Sequence, residues 1–171
     1  RQMPMASLSA IVAAAYGALD FAAMDSGETF LRRTVPSGGG LYPLEIYLFL
    51  QRIDGMVDGL YHYDVIGHSL ELILTGNKRA ELQAAFYSYP FVAEANVILC
   101  HAAVFMRSQK KYGPRGYRYV LLEAGHSAQN ICLAATELGL GSLCMGGFVD
   151  SELNRILKLA PQEEGVVYSV A

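Results

Sequence analysis

A lysine and a tyrosine stand side by side at Lys111 and Tyr112, in a basic and aromatic stretch that also holds Arg115 and Tyr117. The pair offers a proton acceptor and a proton donor, provided that burial lowers the pKa of the lysine. A stretch of this composition is also typical of solvated surface. The pair is therefore a candidate for acid–base chemistry that needs support from other residues.

Three consecutive glycines follow a Pro-Ser pair in the segment formed by Pro36, Ser37, Gly38, Gly39 and Gly40. A backbone without Cβ atoms can approach a flat or anionic ligand closely. The segment precedes a predicted strand and no Gly-Lys-Ser/Thr follows it, which excludes a Walker loop. A ligand-binding loop and a mobile surface loop both remain open as interpretations.

A second set of glycines flanks Met145 and its neighbour Cys144. It consists of Gly139, Gly141, Gly146 and Gly147. The set follows a helix rather than a strand, which excludes a dinucleotide-binding fingerprint. A helix stop followed by a strand bulge explains the same residues without any ligand.

Polar residues recur at near-helical intervals on an otherwise apolar predicted helix, at Glu123, His126, Gln129 and Asn130. They lie on one face or on adjoining faces, and any that are buried must find hydrogen-bond partners. Three interpretations remain open: these side chains are solvated, they form hydrogen bonds between elements of the core, or they contact a ligand. For His126 a structural role is favoured over catalysis.

Metal and nucleophile motifs are missing from the sequence. The four histidines form no HxxxH or HExxH pair, and there is no GxSxG segment. The three cysteines, Cys100, Cys132 and Cys144, form no CxxC pair and no even framework, so a reducing cytoplasm is the expected location. We expect neither a metal site nor a serine nucleophile.

The composition predicts one domain and an oligomer. The 171 residues are 53% hydrophobic and 17% charged, which favours an apolar face hidden against a partner. The net charge is −3 and no basic cluster exceeds two residues, which argues against nucleic acid. No apolar run is long enough to span a bilayer. The start at Arg1 rather than Met suggests a processed or excised piece.

The hydrophobic pattern predicts a single α+β domain over residues 1–171. A helix capped by Ser7 is expected to run to Leu19. Further helices are predicted at 78–87, 117–138 and 151–159. Strands are predicted at 44–50, 59–63, 96–105, 143–148 and 165–171, with a polar loop at 107–115.

Taken together, these stretches resemble the SagB-type dehydrogenases of the nitroreductase superfamily. The matching segments are Arg33-x-x-Pro36-Ser37-Gly38-Gly39-Gly40-Leu41-Tyr42-Pro43-Leu44-Glu45-x-Tyr47, Gly59-Leu60-Tyr61-His62-Tyr63-Asp64, Lys111-Tyr112-Gly113-x-Arg115-Gly116-Tyr117-Arg118-Tyr119, Glu123-Ala124-Gly125-His126-x-x-Gln129-Asn130, and Gly139-Leu140-Gly141 leading to Gly146-Gly147-Phe148. Each segment is weak alone, but five of them occur in order from about residue 32 to the C-terminus.

The resemblance implies a nitroreductase-like fold, with a mostly antiparallel central sheet flanked by helices and a long central helix at a homodimer interface. It also implies FMN at each subunit interface. The residues expected to contact FMN are Pro36, Ser37, Gly38, Gly39, Gln129, Asn130, Met145, Gly146 and Gly147. Family members also carry an Arg-rich stretch before the first helix that helps to bind the flavin phosphate, and only Arg1 remains of it here.

The resemblance further implies dehydrogenation of thiazoline or oxazoline rings in a modified peptide. Lys111 and Tyr112 match the pair that removes a proton while hydride passes to flavin N5, after which dioxygen reoxidises the flavin. Two alternatives stay open. One is an NAD(P)H-dependent reductase of nitro compounds or quinones, and the other is a non-catalytic module that binds a partner or leader peptide.

Overall fold

The computed structural model describes residues 2–23, 27, 29–160 and 162–171. The helices are α1 (Met5–Tyr16), α2 (Arg79–Ala85), α3 (Pro90–Glu94), α4 (Phe105–Tyr112), α5 (Gly116–Glu137) and α6 (Asp150–Leu157). The strands are β1 (Ala18–Ala23), β2 (Thr29–Arg33), β3 (Leu44–Leu50), β4 (Gly59–Asp64), β5 (Ser69–Thr75), β6 (Val97–Val104), β7 (Cys144–Met145) and β8 (Glu164–Val170).

Six strands form one antiparallel sheet in the order β5-β4-β3-β6-β8-β7, and β1 pairs with β2 as a separate hairpin. Strand β6 lies near the centre and is buried on both faces, as its unbroken apolar run predicts. One core lies between the sheet and helices α1 and α5. A second core covers the opposite face with α2, α3 and α6. The predicted α+β fold, with a mostly antiparallel sheet flanked by helices, is confirmed.

Helix α5 is the longest element and confirms the helix predicted at 117–138. Its buried residues, among them Val120, Ala124 and Ala128, pack against α1 and the sheet. Gly139 follows its C-terminus with φ of +68°, a left-handed conformation that favours glycine. The helix therefore packs on one face of the sheet and supports residues on either side of it.

The first helix differs from its predicted bounds. It begins at Met5 with Pro4 as the N-cap rather than at Ser7, because the ring of Pro4 fixes φ without needing a side-chain cap. It ends at Tyr16, because Gly17 takes an extended conformation (φ −62°, ψ 152°). A Cβ atom at Gly17 would lie 2.5 Å from the carbonyl oxygen of Ala13, so only glycine fits there. The residues beyond Gly17 form the exposed strand β1 instead of a helical extension.

The secondary structure predicted for two segments in the C-terminal half of the chain was also wrong. Residues 107–115 are not a loop: α4 runs to Tyr112, because its residues are mostly good helix formers and the Gly113-Pro114 dipeptide only ends it. The strand predicted at 143–148 is reduced to Cys144–Met145, since the chain leaves the sheet at Gly146. Strand β5 and helix α3 were not predicted.

Within the described part of the chain, no helix has the length and apolar character needed to cross a membrane.

Candidate active site

The glycine segment 36–40 lies just before β3 and forms a tight turn. Gly38–Gly40 make a single 3-10 turn in which Gly39 has φ of +70° and Gly40 has φ of +66°. The hydroxyl of Ser37 accepts a hydrogen bond from the backbone N–H of Tyr42 (2.9 Å), which closes the loop. Gly39 is exposed. The loop therefore presents bare backbone to the surface in a conformation that favours glycine.

The Lys-Tyr pair lies against this loop. A Cβ atom on Gly39 would collide with the Tyr112 hydroxyl and would lie 3.0 Å from Lys111 Nζ. A Cβ atom on Gly38 would lie 3.1 Å from the ring of Tyr119, which itself meets the Tyr112 ring edge-to-face at 4.8 Å. Two segments that are far apart in sequence thus form one surface of bare backbone, an amine and phenol groups.

Helix α4 is held to the loop by Arg107, one turn before the pair. Its guanidinium donates to the carbonyl oxygen of Tyr42 (3.2 Å) and forms an ion pair with Glu45. Burial raises the pKa of Glu45, but its hydrogen bond from His62 and the charge of Arg107 outweigh that effect and hold the pKa below its usual value. The ionised carboxylate therefore fixes α4 relative to the chain that follows the glycines.

The start of α5 packs closely on the same helix. A Cβ atom on Gly116 would lie 2.8 Å from the backbone of Ser108 and Gln109, so only glycine allows this approach. The contact sets the distance between the α4 side chains and Tyr119 on α5. Gly116 belongs to the motif recognised from the sequence, although its packing role was not foreseen.

A network of polar side chains on the core side of the glycine segment 36–40 holds that segment in place. The guanidinium carbon of Arg33 lies over the rings of Tyr16 and Tyr42, at 4.6 and 4.7 Å from their centroids. The Tyr16 hydroxyl donates to the carboxyl of Glu123 and accepts a hydrogen bond from the N–H of Leu44 (3.3 Å). The network ties α1, α5 and both ends of the glycine loop together.

Burial raises the pKa of the Glu123 carboxyl, although hydrogen bonds from Ser37 and Tyr16 and the charge of Arg33 act in the opposite direction. Burial, followed by the adjacent Glu123, also raises the pKa of Tyr16. Sequence reasoning singled out Glu123 but missed Tyr16. The only available signal was a tyrosine at the end of an otherwise apolar helix.

The remaining predicted residues on α5 lie apart from the Lys-Tyr pair. Asn130 donates from Nδ2 to the carbonyl oxygens of Ala14 and Thr34, both at 3.1 Å, so its amide nitrogen joins α1 to the chain before the loop. Gln129 and His126 are exposed. Arg1, the remaining predicted phosphate contact, lies outside the described residues.

The second glycine set lies at the sheet edge formed by β7. Met145 is buried and its carbonyl oxygen accepts a hydrogen bond from the hydroxyl of Ser169 (3.1 Å). Gly146 and Gly147 are exposed, and a Cβ atom on Gly146 would lie 3.6 Å from the ring of Tyr168. Gly146 also lines a cleft of about 280 Å³ together with Tyr117 and Leu121 of α5.

The two glycine sets lie on different sides of α5. Tyr119 faces the first set and Leu121 the second, and two residues correspond to about 200° around a helix. The face between them carries Leu122 and Leu133, which are 52% and 60% exposed. One chain therefore presents two glycine-containing surfaces separated by an exposed apolar helix face.

The sequence and fold of the chain are similar to those of known proteins. The family model described as the nitroreductase family matches residues 1–171. The chain belongs to the nitroreductase family. It is 41% identical over 157 residues to protein MJ1384 of Methanocaldococcus jannaschii, covering 92% of this chain and 75% of that protein.

Two further relatives of this nitroreductase-family chain are informative. It is 30% identical over 144 residues to the microcin B17-processing protein McbC of Escherichia coli, covering 81% of this chain and 52% of McbC. A nitroreductase-family crystal structure from Anabaena variabilis superposes with a TM-score of 0.90 at 32% identity, covering 96% of this chain and 34% of that one. The chain thus spans only about half of McbC and a third of the Anabaena protein.

The chain belongs to a family of oxidoreductases. The candidate site has two parts. We call the glycine loop, the Lys-Tyr pair and Tyr119 the first half-site, and Gly146 with its cleft the second half-site. No group of three or more His, Cys, Asp or Glu side chains able to hold a metal ion occurs among the residues that the structure describes.

Proposed function

We propose that this chain is an FMN-dependent dehydrogenase of the SagB type that oxidises thiazoline or oxazoline rings in a modified peptide to azoles. The observation that carries the proposal is the position of Lys111 and Tyr112 against the bare backbone of Gly39. A loop that admits a flat ring and a pair that handles a proton occupy one surface. Similarity to McbC, a microcin-processing protein, supports a peptide as the substrate.

The first glycine set suits a flat cofactor. Gly39 is exposed, and its missing Cβ lets the Tyr112 hydroxyl and the Lys111 amine lie directly against its backbone. When bound, FMN would supply the hydride acceptor that no amino-acid side chain provides. Pro36 to Gly39 would lie along the ring on one side, and the backbone of Met145 to Gly147 would approach it from the other.

A homodimer would bring those two segments together. Within one chain they lie on different sides of α5, separated by the apolar face of Leu122 and Leu133. Packing α5 against its two-fold mate would bury that face and place the first half-site of one protomer beside the second half-site of the other. The active site would then be shared between two chains.

The Lys-Tyr pair would remove the ring proton of the substrate. Lys111 is exposed in the single chain, and substrate, cofactor or a second protomer would cover it in the assembled site. Tyr112, half-buried against Tyr119, would orient the proton acceptor toward the loop.

An NAD(P)H-dependent reductase of nitro compounds or quinones is the second candidate. The observation in its favour is the higher identity to MJ1384, which carries the nitroreductase name, than to McbC. This reading keeps the fold and the cofactor but reverses the flow of hydride, so that the substrate is reduced rather than oxidised.

The first experiment is the visible spectrum of the purified full-length protein, with identification of any cofactor released by heat. Bound FMN supports the flavin proposal, whereas a colourless protein that takes up no FMN favours a non-catalytic binding module. Anaerobic mixing then separates the two enzymes. Bleaching by an azoline-containing peptide supports the dehydrogenase, and bleaching only by NADH or NADPH supports the reductase.

Replacing the lysine tests its assigned role. Lys111→Ala should leave FMN bound and abolish azoline oxidation, since proton transfer contributes on the order of a hundredfold or more to such rates. Lys110→Ala is the matched control, because Lys110 is an exposed lysine on the same helix. Undiminished turnover in Lys111→Ala would eliminate the lysine as the base.

The dimer is tested at Leu133. Leu133→Asp places a charge on the exposed α5 face and should convert the dimer to a monomer that loses FMN. Ile66→Asp, at a 76% exposed position in the β4–β5 turn, is the control. Light scattering after size-exclusion chromatography measures the mass, and a Leu133→Asp variant that stays dimeric would overturn the assigned interface.

A further inference from the structure

Two of the three cysteines meet in the fold although they are separated by 12 positions in sequence. Cys132 on α5 and Cys144 in β7 are both free and partly exposed, and their Sγ atoms are 3.5 Å apart. We propose that these two thiols form a reversible disulfide when the protein meets hydrogen peroxide or an organic hydroperoxide. This modification site is distinct from the Lys111–Tyr112 pair.

The geometry requires only a small movement. Bonded sulfurs lie about 2.05 Å apart, so the two atoms must approach by roughly 1.5 Å. Strand β7 can make this movement because it has two residues and lies at the edge of the sheet. It pairs with Val170 and Ser169 of β8, and the adjoining Leu143 pairs with Ala171. Helix α5 is held in place by buried residues before and after Cys132, among them Ala128, Ile131 and Ala135.

The chemistry balances with hydroperoxide as the oxidant. One thiolate attacks a peroxide oxygen, which cleaves the O–O bond and leaves a sulfenic acid and one water molecule, or an alcohol. The second thiol attacks the sulfenic sulfur, forms the S–S bond and releases the second water. Two electrons pass from the two sulfurs to the peroxide, and the thiol protons end in water, or in water and the alcohol when the oxidant is an organic hydroperoxide.

The surroundings of Cys144 determine how fast its thiol is oxidised. Burial, followed by the neighbouring Cys132 thiol, raises the pKa of Cys144, while a hydrogen bond with the Tyr168 hydroxyl acts in the opposite direction. Because the thiolate is the reacting form, oxidation at neutral pH is slow compared with that of an activated catalytic cysteine. Cys100 is fully buried in β6, where desolvation raises the pKa of its thiol far more, so it does not compete.

The disulfide would act on the second half-site. Cys144 directly precedes Met145, and Gly146 and Gly147 follow. Drawing β7 onto α5 ties this edge strand to the longest helix in the fold, so the backbone of residues 143–148 should open less often. Amide hydrogen exchange of that segment should accordingly slow in the oxidised protein.

Proteolysis after oxidation tests the link directly. No lysine or arginine lies between Arg118 and Arg155, so trypsin leaves both cysteines in one peptide. Cleavage after glutamate separates them at Glu137, unless a disulfide joins the two fragments. The full-length protein is treated with hydrogen peroxide, blocked with an alkylating agent, and digested without reductant.

The expected result is a joined pair of fragments containing Cys132 and Cys144, lighter by two hydrogen atoms and separated by dithiothreitol. Cys132→Ser and Cys144→Ser should each abolish the joined pair, and Cys100→Ala should retain it. Slower exchange at 143–148 should appear in the oxidised wild type and not in peroxide-treated Cys132→Ser.

Separate fragments after peroxide treatment, whether the thiols remain free or carry sulfinic and sulfonic acids, would overturn the proposal. A link joining two copies of the same cysteine would do so as well. Since the oxidant is added and the readout is mass, the outcome does not depend on FMN binding or on azoline oxidation.

Discussion

Gly39 and Gly40 offer a matched pair of substitutions that separates backbone strain from damage to the Lys-Tyr pair. Both residues have left-handed conformations, with φ of +70° and +66°. An alanine at either position costs about 1–2 kcal/mol in the free energy of unfolding for that conformation. For a chain of this size, each variant should lose roughly 2–8 °C in melting temperature.

The space around the two Cβ positions differs. At Gly40 the nearest neighbour is the Phe30 ring at 3.5 Å, an ordinary contact. At Gly39 the new methyl group meets the Tyr112 hydroxyl and lies 3.0 Å from Lys111 Nζ. Both of these are ends of flexible side chains, so they move aside at little further cost in stability.

The expected result is therefore equal stability and unequal activity. Displacing reacting groups by about 1 Å can cost on the order of a hundredfold in turnover. Gly39→Ala should lose that much of its azoline oxidation rate, whereas Gly40→Ala should retain most of it. Denaturant unfolding measures the stability and steady-state turnover measures the rate. Equal turnover in the two variants would refute the assignment of the Lys-Tyr pair to this loop.

Three further changes test the polar interior by denaturant unfolding. Tyr16→Phe removes the donor to the buried carboxyl of Glu123 and should cost roughly 1–3 kcal/mol in the free energy of unfolding; an unchanged stability would contradict the network. Burial lowers the pKa of His101 to about 4, so between pH 6.5 and pH 4 mainly the unfolded chain takes up the proton. The free energy of unfolding of the wild type should therefore fall by about 3 kcal/mol over that range. His101→Gln should remove this pH dependence. The hydrogen bond with Glu45 raises the pKa of His62. The ion pair therefore stabilises the fold fully below about pH 6.5, and this stabilisation is lost as the pH rises through the pKa of His62 in the folded protein. His62→Gln should lower the free energy of unfolding more at about pH 6 than at about pH 9, and the reverse order would exclude the ion pair.

The sequence predicted the elements that bury a regular apolar pattern. The run that became β6 and the periodic stripe of α5 both sit in the core, where hydrophobic burial dictates the backbone. The sequence did not predict the helices and strands that are formed mostly by exposed residues. Strand β5 is largely exposed, and α4 buries only Ser108, so their conformations depend on neighbours rather than on their own apolar pattern.

The candidate site shows the same limit at the level of side chains. Motif spacing identified the glycine loop and the Lys-Tyr pair as separate signals. It did not show that the missing Cβ of Gly39 lets the pair pack against the loop. The contact of Tyr16 with Glu123 was likewise hidden, since it joins residues 107 positions apart. Local pattern names candidate groups, whereas tertiary packing decides which of them meet.

The exposure of Lys111 links the proposed proton transfer to assembly. Proton transfer by a positioned side chain benefits from a site that excludes bulk water. In the described part of the single chain, Lys111 and Gly39 are both exposed. Under the proposed function, the cover over the glycine loop must therefore be cofactor, substrate or a second protomer. Proton transfer would then be coupled to assembly, so a monomeric Leu133→Asp variant should lose it even where saturating FMN restores the flavin spectrum.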